Sequence, residues 1–272
     1  MLVIHPGFEK TGTTTLQEAV FGPHPQILNL GRPVQPLGKQ FGSLLRTPDG
    51  KYDDAAFSRL ADRIKLSDKI AVLSDEHLPK NFYMRGTIAR RLAQHFPETQ
   101  VVFTIRNQIS AIESYYGNHG RILKNVPLPF DGKFVTIENW LEYSWKNWIT
   151  SFLGLCDYRQ TITLYRDLFG EDCINILLFE ELRDDLPSFA SSLANILLMD
   201  KAIILDMLTG TVANARDPAR SVIYSRWREK LLPQTSLTKI LPFGPKLRNQ
   251  FHQILNRGRA FRELYQIPGS NG

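Results

Sequence analysis

The chain has 272 residues, 43% of them hydrophobic and 22% charged, with a net charge of +6. Such a composition excludes a disordered or collagen-like polymer, and no apolar run nears the ~20 residues needed to cross a bilayer. Cys156 and Cys173 lack a C-x-x-C spacing, which excludes a disulfide framework and a cysteine zinc site. Both are expected as buried thiols in a reducing, cytoplasmic setting, since no basic stretch leads into an apolar secretory core at the start of the chain. The positive charge is concentrated at the far end: from Arg220 to Gly272, ten Lys and Arg residues face only Glu229 and Glu263. Nucleic acid is not the expected partner, because no helix-turn-helix, zinc-finger or RNP-like aromatic pattern accompanies that charge.

Taken in order, Leu2-Val3-Ile4 reads as a short buried strand, broken by Pro6-Gly7. Lys10-Thr11-Gly12-Thr13-Thr14-Thr15 follows, and Leu16 to Phe21 reads as a helix. Strand, small-residue loop with one lysine, helix is the layout of a phosphate cradle, in which backbone N–H groups at a helix start point at an anion. Gly7 and Gly12 keep the spacing of a Walker A loop, but Thr13, not lysine, follows Gly12, and the lysine stands two positions before it. That displacement argues against an ordinary nucleotide triphosphatase.

Phe21 to Asp53 is rich in Gly and Pro and reads as a long binding loop. Asp54 is expected to cap a helix over Ala55 to Leu66. Ile70 to Leu73 is a second strand ending in Ser74-Asp75-Glu76-His77, and a helix fits Phe82 to Phe96. Val101 to Ile105 is the clearest strand, followed by Arg106-Asn107-Gln108 and a helix from Ile109 to about Tyr116. Beyond a Gly/Pro loop (Gly117 to Lys133), Thr136 caps a helix whose Trp140, Trp145 and Trp148 are expected in its core face. Tyr158 to Phe169 is helical, Ile174 to Phe179 is a fourth strand, and Phe189 to Met199 is helical; Thr209 to Arg220 is irregular and the rest is helical and basic. Alternating strands and helices predict a parallel α/β sheet covered on both faces, with the ligand outside the carboxyl ends of the strands. Polar clusters follow strands three times: Lys10 to Thr15, Ser74 to His77, and Arg106 to Ser110.

The segment HPGFEKTGTTTLQ resembles the 5′-phosphosulfate loop of sulfotransferases that use 3′-phosphoadenylyl sulfate (PAPS), and is most similar to the bacterial, carbohydrate-type branch. VVFTIRNQISAIESYY resembles the motif that holds the 3′-phosphate in that family, which assigns Arg106 and Ser110 to it. Ser-Asp-Glu-His resembles a Ser-x-Glu segment, and GEDCINILLFEELRDD a structural strand-and-helix segment, so Glu180 and Glu181 receive no catalytic role. The resemblance implies a P-loop-type three-layer fold over residues 1–272, with 220–272 as a basic helical extension, and sulfuryl transfer from PAPS to an acceptor hydroxyl, leaving PAP.

In that chemistry Lys10 stabilises the leaving oxygens, and the N–H groups and hydroxyls of Thr11, Gly12, Thr13, Thr14 and Thr15 hold the 5′-phosphosulfate. Glu76 is the expected general base. His77 is second choice, because successive residues of an extended segment point to opposite faces. Asn214 and Arg216 fall where the family closes a loop over the nucleotide, although no clear Arg-Lys-Gly motif is present. No metal is expected. The expected acceptor is a carbohydrate or glycolipid. His119, Arg121, Lys124 and Lys133 could contact an anionic acceptor, and the basic C-terminal helices suit either an anionic membrane surface or a charged outer face. Two alternatives stand beside this reading: a magnesium-dependent kinase or hydrolase using Asp75 as a Walker B aspartate, and a non-catalytic cofactor- or glycan-binding homologue.

Overall fold

A computed structural model of the chain describes residues 1–117 and 135–210. Its strands are β1 (Leu2–His5), β2 (Ile27–Asn29), β3 (Ile70–Ser74), β4 (Thr99–Ile105) and β5 (Ile174–Leu178). They form one parallel sheet in the order β2-β3-β1-β4-β5. β1 is central, with Leu2 beside Ala71 on one flank and Thr99 on the other. The strand order therefore reverses at β1, and the crevice beyond its carboxyl end is where such a sheet takes a ligand.

The helices are α1 (Thr13–Leu16), which runs on into a π turn over Gln17–Phe21, α2 (Pro36–Leu45), α3 (Asp54–Lys65), α4 (His77–Lys80) and α5 (Arg85–His95). They continue with α6 (Gln108–Tyr115), α7 (Ile137–Lys146), α8 (Phe152–Leu155), α9 (Tyr158–Phe169), α10 (Phe179–Asp184), α11 (Leu186–Leu197) and α12 (Lys201–Thr209). Side-chain alternation explains why the strands read as unbroken apolar runs. Leu2, Ile4, Ala71, Leu73, Val101 and Phe103 face the core under α2, α3, α5 and α9, whereas Val3, Val72 and Val102 face the core under α1, α11 and α12. Among the described residues no helix is long and apolar enough to cross a membrane.

Four corrections to the sequence reading concern this frame. Residues 21–53 are not one loop: they hold β2 and α2. The glycines that suggested a loop mark close packing instead, since a Cβ on Gly38 would lie 2.6 Å from the Leu30 carbonyl oxygen, and Pro36 sits where a helix tolerates proline. The cap of α3 is Asp53, whose carboxylate accepts the Ala56 N–H at 2.9 Å, while Asp54 lies inside the helix and faces His95. Trp145 is 69% exposed although Trp140 is buried; five residues along a helix leave the apolar stripe, so the two cannot share a face. Cys156 is buried as expected, but Cys173 is half-exposed in the turn before β5.

A buried polar strip joins the carboxyl ends of the central strands. His5 shares hydrogen bonds with Ser74 Oγ (2.8 Å) and Thr104 Oγ1 (2.9 Å), and Gln17 donates to Ser74 Oγ (3.1 Å). Burial pushes the His5 imidazole down from 6.5 to about 4. The folded state thus holds a neutral ring where the unfolded chain binds a proton. That stabilisation is complete above pH 6.5 and is lost as pH falls towards 4, about 3 kcal/mol in all. Urea unfolding is expected to show a stability about 2 kcal/mol lower at pH 5 than at pH 7, with that part of the difference absent in His5→Gln. An unchanged pH slope in the variant would show that His5 carries no such linkage.

Candidate active site

The loop between β1 and α1 is shaped by two left-handed backbone positions, Lys10 (φ 70) and Gly12 (φ 86). Gly12 needs its glycine, because a Cβ there would come within 2.7 Å of Leu182 and 3.2 Å of Phe179 on α10. A lysine held in the left-handed region costs energy that other contacts must offset, and such positions cluster at functional sites. One contact that holds it is plain: Arg106 Nη1 donates to the Lys10 carbonyl at 3.0 Å.

Two of the threonines face inward. Thr11 and Thr13 are buried and donate their hydroxyls to the Phe8 carbonyl at 2.7 and 3.0 Å. Those hydroxyls brace the loop on Phe8. Thr14 and Thr15 stay half-exposed. The N–H groups of α1's first turn have no partner inside the helix, which is the usual anion-binding element.

Arg106 follows β4 and reaches across to β1. Its Nε donates to Ser110 Oγ (2.8 Å), its guanidinium lies 4.3 Å from the Phe179 ring centre, and its carbonyl accepts from the Tyr158 hydroxyl at 3.2 Å. Ser110 and Arg106 therefore meet, with Asn107 capping α6 and the Glu180 carboxylate accepting the Asn107 N–H at 3.0 Å. Phe179 and Glu180 were not chosen as site residues from the sequence. They could have been, because β5 pairs with β4 in register up to Leu178 beside Ile105, which puts the next residues against Arg106.

Glu76 stands at the start of α4, half-buried. Burial raises its carboxyl above the usual range, Glu9 and Asp75 raise it further, and Arg32 and Lys10 pull it back. Lys10 and Glu76 thus share one electrostatic field. Residues 75–77 form a turn rather than an extended strand, so the alternation argument against His77 does not apply. His77 has a partner of its own: its exposed ring sits with Nε2 2.7 Å from an Arg32 guanidinium nitrogen, and since arginine can only donate, the imidazole accepts there. Asp75 is ion-paired with Arg46 and accepts the His77 N–H at 2.8 Å, so its carboxylate is committed to protein groups. That disfavours the Walker B alternative. Among the described residues no three His, Cys, Asp or Glu side chains are grouped to hold a metal. Asn214, Arg216, the basic loop 118–133 and the extension 220–272 lie outside the described residues.

Parallel sheet, reversal at β1, and a glycine- and threonine-rich loop leading into a helix at its carboxyl end define a P-loop-type α/β protein. Comparison with solved structures narrows the fold. A sulfotransferase from Alicyclobacillus acidocaldarius matches with a TM-score of 0.51 at 19% identity, over 86% of this chain and 96% of that one. A mouse sulfotransferase, SULT7A1, complexed with PAP, matches with a TM-score of 0.46 at 15% identity, over 97% of this chain and 87% of that one. The chain has the sulfotransferase fold. No protein-family model matches it, and neither does any curated protein.

Proposed function

We propose that this chain is a sulfotransferase that passes the sulfuryl group of PAPS to a hydroxyl on a carbohydrate or glycolipid, releasing PAP. One observation carries the reading: the Arg106 guanidinium bonds both Ser110 and the Lys10 carbonyl, so the two motifs that resemble the 3′-phosphate and 5′-phosphosulfate sites form one surface at the reversal point. The residues suit such a donor. Thr14, Thr15 and the backbone N–H groups of α1's first turn hold the 5′-phosphosulfate, with Gly12 and the braced Thr11 and Thr13 fixing the loop's shape. Arg106 and Ser110 hold the 3′-phosphate, and Asn214 and Arg216 close over the nucleotide.

PAPS supplies the group transferred. Lys10 aims a cation at the oxygens where charge develops, and Glu76 takes the proton of the attacking hydroxyl. With Lys10 and Arg106 providing the positive charge, no metal is required. We read residues 1–272 as a single cytoplasmic domain whose basic extension, 220–272, contacts an anionic membrane surface. Binding of PAP in the absence of metal is the experiment that tests the reading.

A further inference from the structure

Glu9 lies beside Lys10 in the first loop, with no role assigned to it by the resemblance, yet its ion pair reaches the short helix that follows Glu76. Its side chain is only 13% exposed, and its Oε1 accepts from Lys80 Nζ at 2.9 Å. Its Oε2 is buried and has no hydrogen-bond partner among the described residues. A buried carboxylate oxygen left unpaired is unfavourable and calls for an explanation. The partner's position is informative. Lys80 is the last residue of α4, the short helix that Glu76 begins, so the ion pair spans from the Lys10 loop to the Glu76 turn.

We propose that Glu9 is a positioning residue: through Lys80 it fixes the Lys10 loop to the turn carrying Glu76, and it sets a buried negative charge beside the Glu76 carboxylate. This inference rests on the reading of Glu76 as the base. It also explains why Lys80, the nearest flexible cation on the same helix, does not neutralise Glu76: it is bound to Glu9. The other charged and titratable groups acting on Glu76 are Arg32, Lys10 and Asp75, with His77 next in the chain. Burial raises Tyr115 on α6 and Cys156 after α8, and the charge of Glu9 raises both further. The negative field of Glu9 therefore reaches several elements at once.

The test is a carbon-13 NMR titration of the Glu76 side-chain carboxyl in full-length protein labelled at glutamate, with the resonance assigned through Glu76→Gln. Glu9→Gln removes a negative neighbour and is expected to lower the Glu76 midpoint by roughly half a pH unit or more. Lys80→Met leaves Glu9 unneutralised and is expected to raise it. Opposite shifts support the proposal, because a merely structural ion pair changes melting temperature in both variants without moving the midpoint in opposite senses. An unmoved midpoint in Glu9→Gln, or shifts of one sign in both, overturns it. Should Glu9→Gln fail to fold, the direction in Lys80→Met decides alone. Retention of full PAPS turnover by Glu76→Gln would instead defeat the assignment of the base, while the titration still reports the coupling.

Discussion

Replacing Lys10 with alanine is expected to cut sulfuryl transfer about 10²–10³-fold, roughly 3–4 kcal/mol of transition-state stabilisation. The loss follows from what the loop is built to do. Gly12 and Lys10 take left-handed backbone positions, Thr11 and Thr13 brace the turn on Phe8, and Arg106 holds the Lys10 carbonyl. These contacts fix the loop through its backbone and its neighbours, and the lysine cation lies in the same electrostatic field as Glu76. Alanine carries the same Cβ and bears the same backbone cost, so the melting temperature should stay within a few degrees. PAP release from radiolabelled PAPS measures the effect. A loss smaller than tenfold would remove Lys10 from the chemistry.

Glu76→Gln is expected to lower transfer about 10²–10⁴-fold while PAP binding persists. A base works best with its pKa near the working pH, and burial together with Glu9 moves Glu76 upward from the ordinary carboxylate range. Activity should therefore fall on the acid side as pH drops through that raised value, because protonated Glu76 cannot accept the hydroxyl's proton. His77→Ala serves as the contrast. Its ring accepts from Arg32 at the exposed rim, so most turnover should remain. The reverse result, a dead His77 variant beside an active Glu76 variant, would exchange their roles.

Much of this was legible in the sequence because it is local. A three-residue apolar run, a Pro-Gly break and Lys-x-Gly-Thr-Thr-Thr lie within fifteen residues of one another, and they gave β1 and its loop directly. Both faces of β1, β3 and β4 are buried, so each appears as an apolar run that needs no periodicity to be recognised. β2 and α2 were missed because three residues make a weak strand signal and because Gly38 reads as a loop residue until Leu30 is seen against it. The inward turn of Thr11 and Thr13 was invisible for a similar reason: it depends on where the Phe8 carbonyl points.

Long-range pairings account for the rest. Arg32 with His77, Arg46 with Asp75, and Lys80 with Glu9 are separated by 45, 29 and 71 positions, and no spacing rule connects them. Each decides which of the acidic or basic residues after β3 is committed to protein and which faces the site. Sequence supplied the candidates, and the fold selected among them.

The most direct test of the account is the melting temperature of the full chain with excess PAP and no divalent metal, set beside 5′-AMP and ATP with magnesium. A ligand at ~100 times its dissociation constant adds ~2.7 kcal/mol, a rise of about 5–10 °C for a domain of this size. The account predicts that rise for PAP, a much smaller one for 5′-AMP, which lacks the 3′-phosphate that Arg106 and Ser110 are proposed to hold, and no effect of a chelator. Stabilisation by ATP with magnesium alone would contradict it and turn the Lys10 loop into a nucleotide-triphosphate site.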